Sequence, residues 1–348
     1  MKTLSTLLAS LLLPYSALGH CEEKKSSISE TPSDRVNYPS NFQVERGWDF
    51  FIFGEYLYWT ANEDGLYFAQ TGFQNATLPS PPDGGINFKG KLKKIEPDWN
   101  NGLRLGVGVN FPKEGYDIAA YWTWFKNNSH ASASGALIPL WAEPDFIPFA
   151  TATRARGTWD LAINVADVEW GRSSWFGGYL SVRPFFGFRG AWIDQALRLN
   201  YTYATVPFVS SHIHSNADFH GGGMRAGADV RFALPARFGI YGIASGSLLY
   251  GRLNGSLNVS ENGMKIARTR DHFNKGISSM QLGLGLGWDT HFYRDRLHIE
   301  FHIGWESNAW FSINQMNHFV NQLSNGSYFK ENGNLSTQGI VAGGRFDF

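Results

Sequence analysis

The stretch Ser336–Phe348, S-T-Q-G-I-V-A-G-G-R-F-D-F, decides the fold of this chain. Alternate side chains of a β-strand point to opposite faces, so this stretch forms a strand with one apolar and one charged face. The apolar face carries Ile340, Ala342, Phe346 and Phe348, and the charged face carries Arg345 and Asp347. A final strand that ends on phenylalanine is typical of bacterial outer-membrane β-barrels. Phe346 and Phe348 are therefore predicted to form the insertion signal of a strand that closes a barrel.

The start of the chain fits an exported protein. Lys2 is followed by the apolar run Leu4–Leu13 and by the small-residue site Ala17–Gly19. This pattern predicts a secretory signal peptide over residues 1–19, cleaved after Gly19. Cys21 is the single cysteine, which excludes an intrachain disulfide scaffold. His20 stands where lipoprotein processing sites carry a small residue, which disfavours lipidation of Cys21.

Composition narrows the class of protein. The formal net charge is +0, which argues against a nucleic-acid partner. Beyond the signal peptide there is no run of eighteen apolar residues, so no transmembrane helix is predicted. Residues 20–46 are polar, mixed in charge and aperiodic, which predicts a disordered periplasmic lead-in. Residues 47–348 then form either a soluble all-β domain or an outer-membrane β-barrel.

Ten segments of the chain have strand-like alternation or composition. They are Trp48–Trp59, Leu103–Phe111, Asp117–Phe125, Trp159–Val165, Leu180–Trp192, Met224–Leu234, Ile240–Tyr250, Met280–Trp288, Leu297–Trp305 and Ser336–Phe348. No face is assigned to residues 240–250. In the others the apolar set is placed outside, because a lysine or arginine facing lipid at the bilayer midplane costs roughly 2–4 kcal/mol. The charged side chains then become the predicted lining of the lumen, or pore: Glu55, Arg104, Asp117, Asp160, Arg183, Arg189, Arg225, Asp229, Arg231, Asp289, Glu300, Arg345 and Asp347.

A soluble β-sandwich also alternates apolar and polar residues. Segments of about 9–11 residues match a tilted crossing of a membrane, and tryptophan and tyrosine gather near their ends as an interfacial belt requires. The connections alternate between short and long, as in barrels with short periplasmic turns and long external loops. We therefore predict an all-β protein, a closed antiparallel transmembrane β-barrel of about ten strands. Twelve strands stay open as an alternative, with extra ones at Phe88–Ile95 and Leu197–Tyr203.

Three stretches carry a resemblance to a known family. Gly47–Ala69, G-W-D-F-F-I-F-G-E-Y-L-Y-W-T-A-N-E-D-G-L-Y-F-A, resembles the opening of the Legionella-type major outer membrane protein family. Trp99–Phe125 resembles the same family, and the terminal G-G-R-F-D-F is consistent with it. The resemblance implies a pore-forming, porin-like role and contact with a host cell. The multiple cysteines of the functionally analogous Chlamydia-type proteins are absent, which puts disulfide cross-linking of the envelope in doubt.

Motifs for catalysis or metal binding are weak. His212, His214 and His220 are close in sequence, and His298 and His302 share a strand face. Neither set completes a tight ligand group, so no metal site and no cofactor are predicted. No nucleophile motif or phosphate-binding glycine loop is recognisable, so the protein is predicted not to be an enzyme.

Two functions remain open. The first is a porin-like outer-membrane protein that allows passive diffusion of small hydrophilic solutes or ions through a lumen kept open by small residues such as Gly106, Gly108 and Gly283. The second is a surface adhesin or structural barrel whose long external loops bind host or envelope partners. Outer-membrane lipids and the barrel-assembly machinery are expected partners in both cases, while the oligomeric state is left undetermined by the sequence.

Overall fold

A computed structural model of the chain describes residues 38–39, 49–71, 90–111, 115–141, 152–203, 210–292, 297–319 and 328–348. The predicted signal peptide over residues 1–19 lies outside these ranges, as does most of the lead-in. Ten long strands form the main sheet: β1 (Asp49–Glu63), β2 (Trp99–Asn110), β3 (Tyr116–Pro139), β4 (Ala152–Arg172), β5 (Leu180–Tyr203), β6 (Ser210–Ala233), β7 (Phe238–Glu261), β8 (Met264–Phe292), β9 (Leu297–Asn314) and β10 (Gly333–Asp347).

These ten strands close into an antiparallel barrel. Each strand pairs with the next along the chain, and β10 also pairs with β1, with Gly344 opposite Gly54. The predicted fold is therefore confirmed, with ten strands. In the segment Phe88–Ile95, considered for an extra strand, the described residues from 90 onward contain the short strand Leu92–Lys94, which pairs with Tyr67–Thr71 beside the end of β3. Residues 197–203 are the end of β5.

The described residues also form a few short strands and one turn outside the ten barrel strands. Tyr38–Pro39, within the segment predicted to be disordered, pairs with the short strand Ser174–Phe176. Asn317–Phe319 pairs with Tyr328–Lys330, and Pro235–Arg237 forms a 3-10 turn between β6 and β7. No helix within the described ranges is long and apolar enough to cross a membrane.

The barrel has two ends. The short-turn end contains the connections β2–β3, β4–β5, β6–β7 and β8–β9 together with the C-terminal residue, and the loop end contains the other connections. The strands extend further towards the loop end than the sequence predicts. β7 and β8 are joined there by the two-residue turn Asn262-Gly263, although the predicted strand segments Ile240–Tyr250 and Met280–Trp288 leave a long connection between them.

A membrane band surrounds the half of the barrel nearest the short-turn end. On β8 the side chains of Met280, Leu282, Leu284 and Leu286 point outward and are 44–64% exposed. With about 3.3 Å per residue and a tilt of about 40°, the residues from Met280 to Leu286 cover roughly 18 Å of the apolar band of outer-membrane barrels, which is about 25 Å high. Exposed aromatic residues border the band: Tyr58, Trp99, Trp122, Trp192, Tyr250 and Trp305 towards the loop end, and Trp170, Phe238, Phe292, Phe301 and Phe348 at the short-turn end.

Beyond this band the strands continue as a projecting section with the opposite polarity. On β7 the outward residues change from Leu248 and Tyr250 to Arg252 and Asn254, while the inward residue Leu253 is fully buried. Outside the bilayer the exterior of the barrel faces water and the interior must supply the core. Along the strands that continue into the projecting section, the apolar face therefore changes from the outside to the inside.

This inversion overturns one part of the prediction. Trp159, Leu161, Ile163 and Val165 on β4 are predicted to face lipid, but they are 0–4% exposed and point into the barrel. They belong to the projecting section, where alternation alone does not reveal which face is solvated. Asp160, with the opposite parity, accordingly lies on the exterior and does not line the lumen.

An apolar core fills the lumen of the projecting section. Nine of the ten barrel strands contribute at least one inward side chain that is no more than 4% exposed: Leu57, Phe125, Trp159, Ile193, Phe219, Leu253, Ile277, Trp310 and Leu335. Side chains buried to this degree pack against one another inside the barrel, as in the core of a globular protein.

Candidate functional site

The candidate site is a cavity of about 460 Å³ inside the membrane band. It extends from the apolar core to the short-turn end, where Leu234, Arg237 and Phe238 line it. Seven arginines and eight carboxylates are among its lining residues, so the formal charges nearly cancel: Arg104, Arg183, Arg189, Arg225, Arg231, Arg237 and Arg345 against Glu55, Asp117, Asp167, Glu169, Asp229, Asp289, Glu300 and Glu306.

Arg104 connects three strands near the apolar core. Its guanidinium Nη1 donates to Glu55 Oε2 on β1 at 2.6 Å, and its Nη2 donates to Glu306 Oε1 on β9 at 2.8 Å. The Nε group donates to Thr123 Oγ1 on β3 at 3.0 Å. All five donors of an arginine lie in one plane, so a single side chain can satisfy acceptors from several strands.

A second group of charges crosses the middle of the cavity. Arg183 contacts Asp117 and donates from Nη1 to Asp229 at 2.7 Å. Arg225 lies 2.9 Å from Glu169, which also lies 3.4 Å from Arg183. Each carboxylate therefore has an arginine beside it, which offsets the cost of removing both charges from water.

Deeper in the barrel, Arg189 donates from Nε to Asp167 Oδ1 at 2.7 Å and from Nη2 to Asp167 Oδ2 at 2.8 Å. This bidentate geometry is the strongest form of an arginine–carboxylate contact. Arg225 shares the same carboxylate at 3.4 Å and donates to Gln281 Oε1 at 2.6 Å. Arg189 and Arg225 are 7% and 6% exposed, so the network is largely closed to bulk water.

At the short-turn end the charges pair with histidines as well as arginines. Arg231 contacts both Asp289 and Glu300, and Arg345 donates to Asp347 at 2.6 Å. His298 Nδ1 lies 2.8 Å from Asp347 Oδ2. Nearer the core, His302 Nε2 lies 3.1 Å from Glu55 Oε1, and the two residues come from β9 and β1.

The structure places most of the predicted lining residues inside the barrel. Twelve of the thirteen point inward: Glu55, Arg104, Asp117, Arg183, Arg189, Arg225, Asp229, Arg231, Asp289, Glu300, Arg345 and Asp347. The prediction for Asp160 is wrong, because its carboxylate lies on the outside of the projecting section. It accepts hydrogen bonds there from Asn128 and Arg198.

Three of the carboxylates that line the cavity are missing from the predicted set. On β4 Asp167 and Glu169 alternate with the outward residues Val168 and Trp170, and this alternation is a signal that could have identified them. Glu306 follows Trp305 at the edge of the membrane band. Its contact with Arg104 joins residues 202 positions apart, so only the closed barrel reveals it.

The expectation that inward glycines leave open water is wrong at several positions. A Cβ atom at Gly106 would lie 2.1 Å from Phe53 Cε1, and one at Gly108 would lie 2.2 Å from Phe51 Cζ. The phenyl rings thus occupy the space above these glycines. Gly283 differs, because the nearest atom to a Cβ there is 3.7 Å away and the residue lines the cavity.

The histidines that stand close together in the sequence lie on different surfaces of the barrel. His212, His214 and His220 share the outward face of β6 in the projecting section, and His212 contacts Asn200. His298 and His302 both point inward but meet different carboxylates. Within the described ranges, one group of at least three histidine, cysteine or acidic residues has ligand atoms within 4.8 Å of one another: Asp289, His291 and His298.

The C-terminal strand is arranged as its sequence suggests. Phe346 and Phe348 lie on the outward face, and their rings stack with centroids 5.7 Å apart. Phe348 is 50% exposed at the short-turn edge of the membrane band. The insertion role of the two residues stays a prediction.

Comparisons with known proteins identify the class of this barrel. The family model described as "Legionella pneumophila major outer membrane protein precursor" matches residues 42–348. No curated protein sequence matches the chain significantly. Among solved structures, the outer membrane protease OmpT from Escherichia coli is similar, with 9% sequence identity and a TM-score of 0.40. The match covers 91% of this chain and 99% of the OmpT chain. The translocator domain of the autotransporter NalP from Neisseria meningitidis has 12% sequence identity and a TM-score of 0.29, and the match covers 86% of this chain and 88% of the NalP chain.

Proposed function

The chain belongs to the Legionella major outer membrane protein family, and on that premise we propose that it acts at the cell surface through its projecting section and loops. In this proposal the barrel is closed to solutes and binds host or envelope partners. The observation that carries the proposal is the apolar core, which nine barrel strands build across the lumen.

Energetics favour a closed lumen. Full burial of a large apolar side chain is worth roughly 1.5–3 kcal/mol. A water-filled path past Trp159, Phe219, Leu253 and the other core residues would expose many of them at once. The cost would be on the order of 10 kcal/mol or more, which is comparable to the whole stability of a typical domain. Diffusion through this section would therefore require a large rearrangement of the barrel.

The exterior of the projecting section suits a binding surface. Arg154, Arg156, Arg268 and Arg270 are exposed there, next to asparagine and serine side chains on the neighbouring strands. Arginine is the cation best suited to planar recognition of carboxylates, sulfates and phosphates. We infer that the partners are anionic surface molecules.

The orientation follows from the two ends of the barrel. We propose that the short-turn end faces the periplasm, where the barrel-assembly machinery receives the last strand, and that the loop end is external. Epitope tags inserted in residues 140–148 or 320–327, the parts of 129–148 and 315–334 that lie between the described strands, should then be labelled on intact cells, and a tag in residues 112–115 should not. Labelling at residues 112–115 alone would reverse the orientation.

A diffusion pore is the second candidate, and the charged cavity is the observation that favours it. A cavity of about 460 Å³ accommodates a small hydrophilic solute, and its seven arginines and eight carboxylates imply weak ion selectivity. Such a pore would have to open a route past the apolar core.

A catalytic role is not part of the proposal. The inward histidines contact carboxylates, with His298 beside Asp347 and His302 beside Glu55. A histidine held by a carboxylate acts as a general base only when a nucleophile, such as a hydroxyl, a thiol or a water molecule, lies beside its other ring nitrogen, and the proposal assigns no such group.

Single-channel recording in planar bilayers tests the proposal. Correctly folded wild-type protein should give no conductance steps, whereas a Trp159→Gly, Phe219→Gly double variant should give irregular leak currents because the core is thinned. Regular steps from the wild type would refute the closed barrel and establish the pore. In parallel, replacing Arg154, Arg156, Arg268 and Arg270 with serine should reduce attachment of protein-coated beads to cultured cells, and unchanged attachment would remove these residues from the binding surface.

A further inference from the structure

We propose that Asp289, His291 and His298 form a binding site for a divalent transition-metal ion, Zn²⁺ being the ion that fits best. The site lies inside the barrel at the short-turn end and is independent of whether the lumen conducts. It would join strands β8 and β9 next to the C-terminal strand.

The register of the β8–β9 hairpin brings the three side chains together. Asp289 and His291 are two residues apart on β8 and therefore share one face. His291 is directly opposite His298 on β9, and Asp289 is opposite Glu300. Directly opposite residues of an antiparallel pair have Cβ atoms about 4.5–5.5 Å apart, so the two imidazoles and the carboxylate converge.

The distances between the ligand atoms suit a tetrahedral ion. One nitrogen or oxygen from each of the three residues lies within 4.8 Å of the other two. His298 Nε2 and Asp289 Oδ2 are 3.6 Å apart, and the two imidazole rings have centroids 4.7 Å apart. Bonds of about 2.0–2.1 Å at tetrahedral angles separate neighbouring ligand atoms by roughly 3.3 Å. A side-chain adjustment of a few tenths of an ångström up to about 1.5 Å would therefore complete the set.

The neighbours of these residues hold them in the orientation that metal binding requires. His298 Nδ1 lies 2.8 Å from Asp347 Oδ2, so the ring donates from Nδ1 and turns Nε2 towards Asp289. Arg231 contacts Asp289 at Oδ1, while Oδ2 is the oxygen nearest His298. Carboxylates that fix a ligating histidine, and donors that fix a ligating carboxylate, are typical of the outer shell of metal sites.

The donor set decides the class of ion. Two imidazoles and one carboxylate favour Zn²⁺, Cu²⁺ or Ni²⁺, whereas Mg²⁺ and Ca²⁺ prefer all-oxygen sites. Asp289, Glu300 and Asp347 surround the site together with Arg231 and Arg345, which gives a formal charge of −1 before a metal binds. His302 is not part of the set, because it contacts Glu55 instead.

A bound ion would cross-link neighbouring strands of the barrel. It would connect β8 to β9 directly, and through the contact between His298 and Asp347 it would also hold β10. Any ligand that binds only the folded state stabilises it, so Zn²⁺ should make the folded barrel more resistant to unfolding.

Metal binding can be measured with the full-length chain purified in detergent and stripped with EDTA. Zn²⁺ is titrated against a chromophoric chelator, and Co²⁺ is added separately because a tetrahedral Co²⁺ ion absorbs visible light. We expect one ion per chain. His291→Ala should weaken Zn²⁺ binding at least tenfold and abolish the Co²⁺ band. The matched control is His272→Ala, which removes an exposed histidine from the exterior of the same strand.

A measurement on the wild type keeps the proposal testable if a variant does not fold. Zn²⁺ should protect His291 from modification by diethyl pyrocarbonate, as detected by mass spectrometry, and leave His272 reactive. The proposal is overturned if the wild type binds no Zn²⁺, if His291 is not protected, or if His291→Ala and His272→Ala weaken binding equally.

Discussion

Phe50 and Phe348 join the first and last strands of the barrel through a reciprocal pair of backbone hydrogen bonds. Phe50 N–H donates to the Phe348 carbonyl at 3.1 Å, and Phe348 N–H donates to the Phe50 carbonyl at 2.9 Å. Both side chains are about half exposed on the lipid-facing side. The terminal residue therefore completes the ladder between β10 and β1. In hydrocarbon an unpaired backbone group costs several kcal/mol, so this closure is required of any stable barrel.

Changing the terminal residue should impair assembly. Phe348→Asp places a charge at the edge of the membrane band and removes the stacking on Phe346, so we expect lower outer-membrane levels and less heat-modifiable protein on gels. The control is Phe329→Asp, the same change at an exposed phenylalanine in the short strand Tyr328–Lys330 at the loop end. Equal levels of both variants would show that Phe348 is not an insertion signal.

Removing Arg104 should destabilise the folded barrel. Arg104→Met leaves Glu55 and Glu306 facing each other without their shared cation, and breaking a buried ion pair in this way costs about 3–5 kcal/mol. Unfolding in urea, followed by tryptophan fluorescence, measures the change. Arg252→Met is the control, since Arg252 is exposed on the exterior of β7. A loss no larger than in that control would mean that the triad does not contribute to stability.

Alternation in the sequence predicts the membrane band well and the projecting section poorly. The prediction for Met280–Trp288 is correct because lipid on one side and charge on the other give a strict pattern with period two. In the structure β8 nevertheless extends from Met264 to Phe292. The sequence does not predict the part nearer the loop end, because its residues alternate less strictly and contain glycine and asparagine. The error at Trp159–Val165 has a different cause, because this segment alternates strictly but its apolar face points inward. Parity identifies two faces, but which face is wet depends on the height above the membrane.

Contacts across the lumen were beyond sequence reasoning. The inward position of Glu55 and Arg104 follows from parity, but their shared partner Glu306 depends on how the ten strands close. Likewise, the glycines of β2 are small in the sequence, and only the structure shows the rings of Phe51 and Phe53 lying over them. A local pattern therefore predicted which residues enter the lumen but not whether the lumen is open.

Glu63 should make stability depend on pH. It lies beyond the membrane band, fully buried at the end of β1, and burial raises the pKa of its carboxyl well above the ordinary value of 4.5. Because the pKa is higher in the folded state, the stabilisation is fully present below about pH 4.5 and is lost as the pH rises through the raised pKa. Glu63→Gln stays neutral, so its advantage in the free energy of unfolding over the wild type should grow as the pH rises.

Urea unfolding of both proteins at several pH values measures that difference. Glu96→Gln, at an exposed position, serves as the control and should follow the wild type at every pH. A difference between Glu63→Gln and the wild type that stays constant with pH would contradict the prediction.

Two inward glycines allow the packing of the lumen to be tested by the same substitution. In Gly106→Ala the new methyl group would lie 2.1 Å from Phe53 Cε1 and 2.8 Å from the Ala120 carbonyl oxygen. The ring of Phe53 also packs against Tyr121, with centroids 4.9 Å apart, so it has little room to move. Overpacking of this kind typically costs about 1–3 kcal/mol, and we expect a loss of that size in the free energy of unfolding.

Gly283→Ala should behave differently, because the nearest atom to its methyl group is Ile243 Cβ at 3.7 Å, an ordinary van der Waals contact. The residue lines the cavity, where an added methyl displaces water rather than a ring. We expect a change within about 0.5 kcal/mol, as for substitutions that create no clash. Urea unfolding of the two variants beside the wild type measures both effects. If Gly106→Ala were tolerated as well as Gly283→Ala, the rings of Phe51 and Phe53 would not fill the lumen beside β2, and the space above its glycines would be open to water.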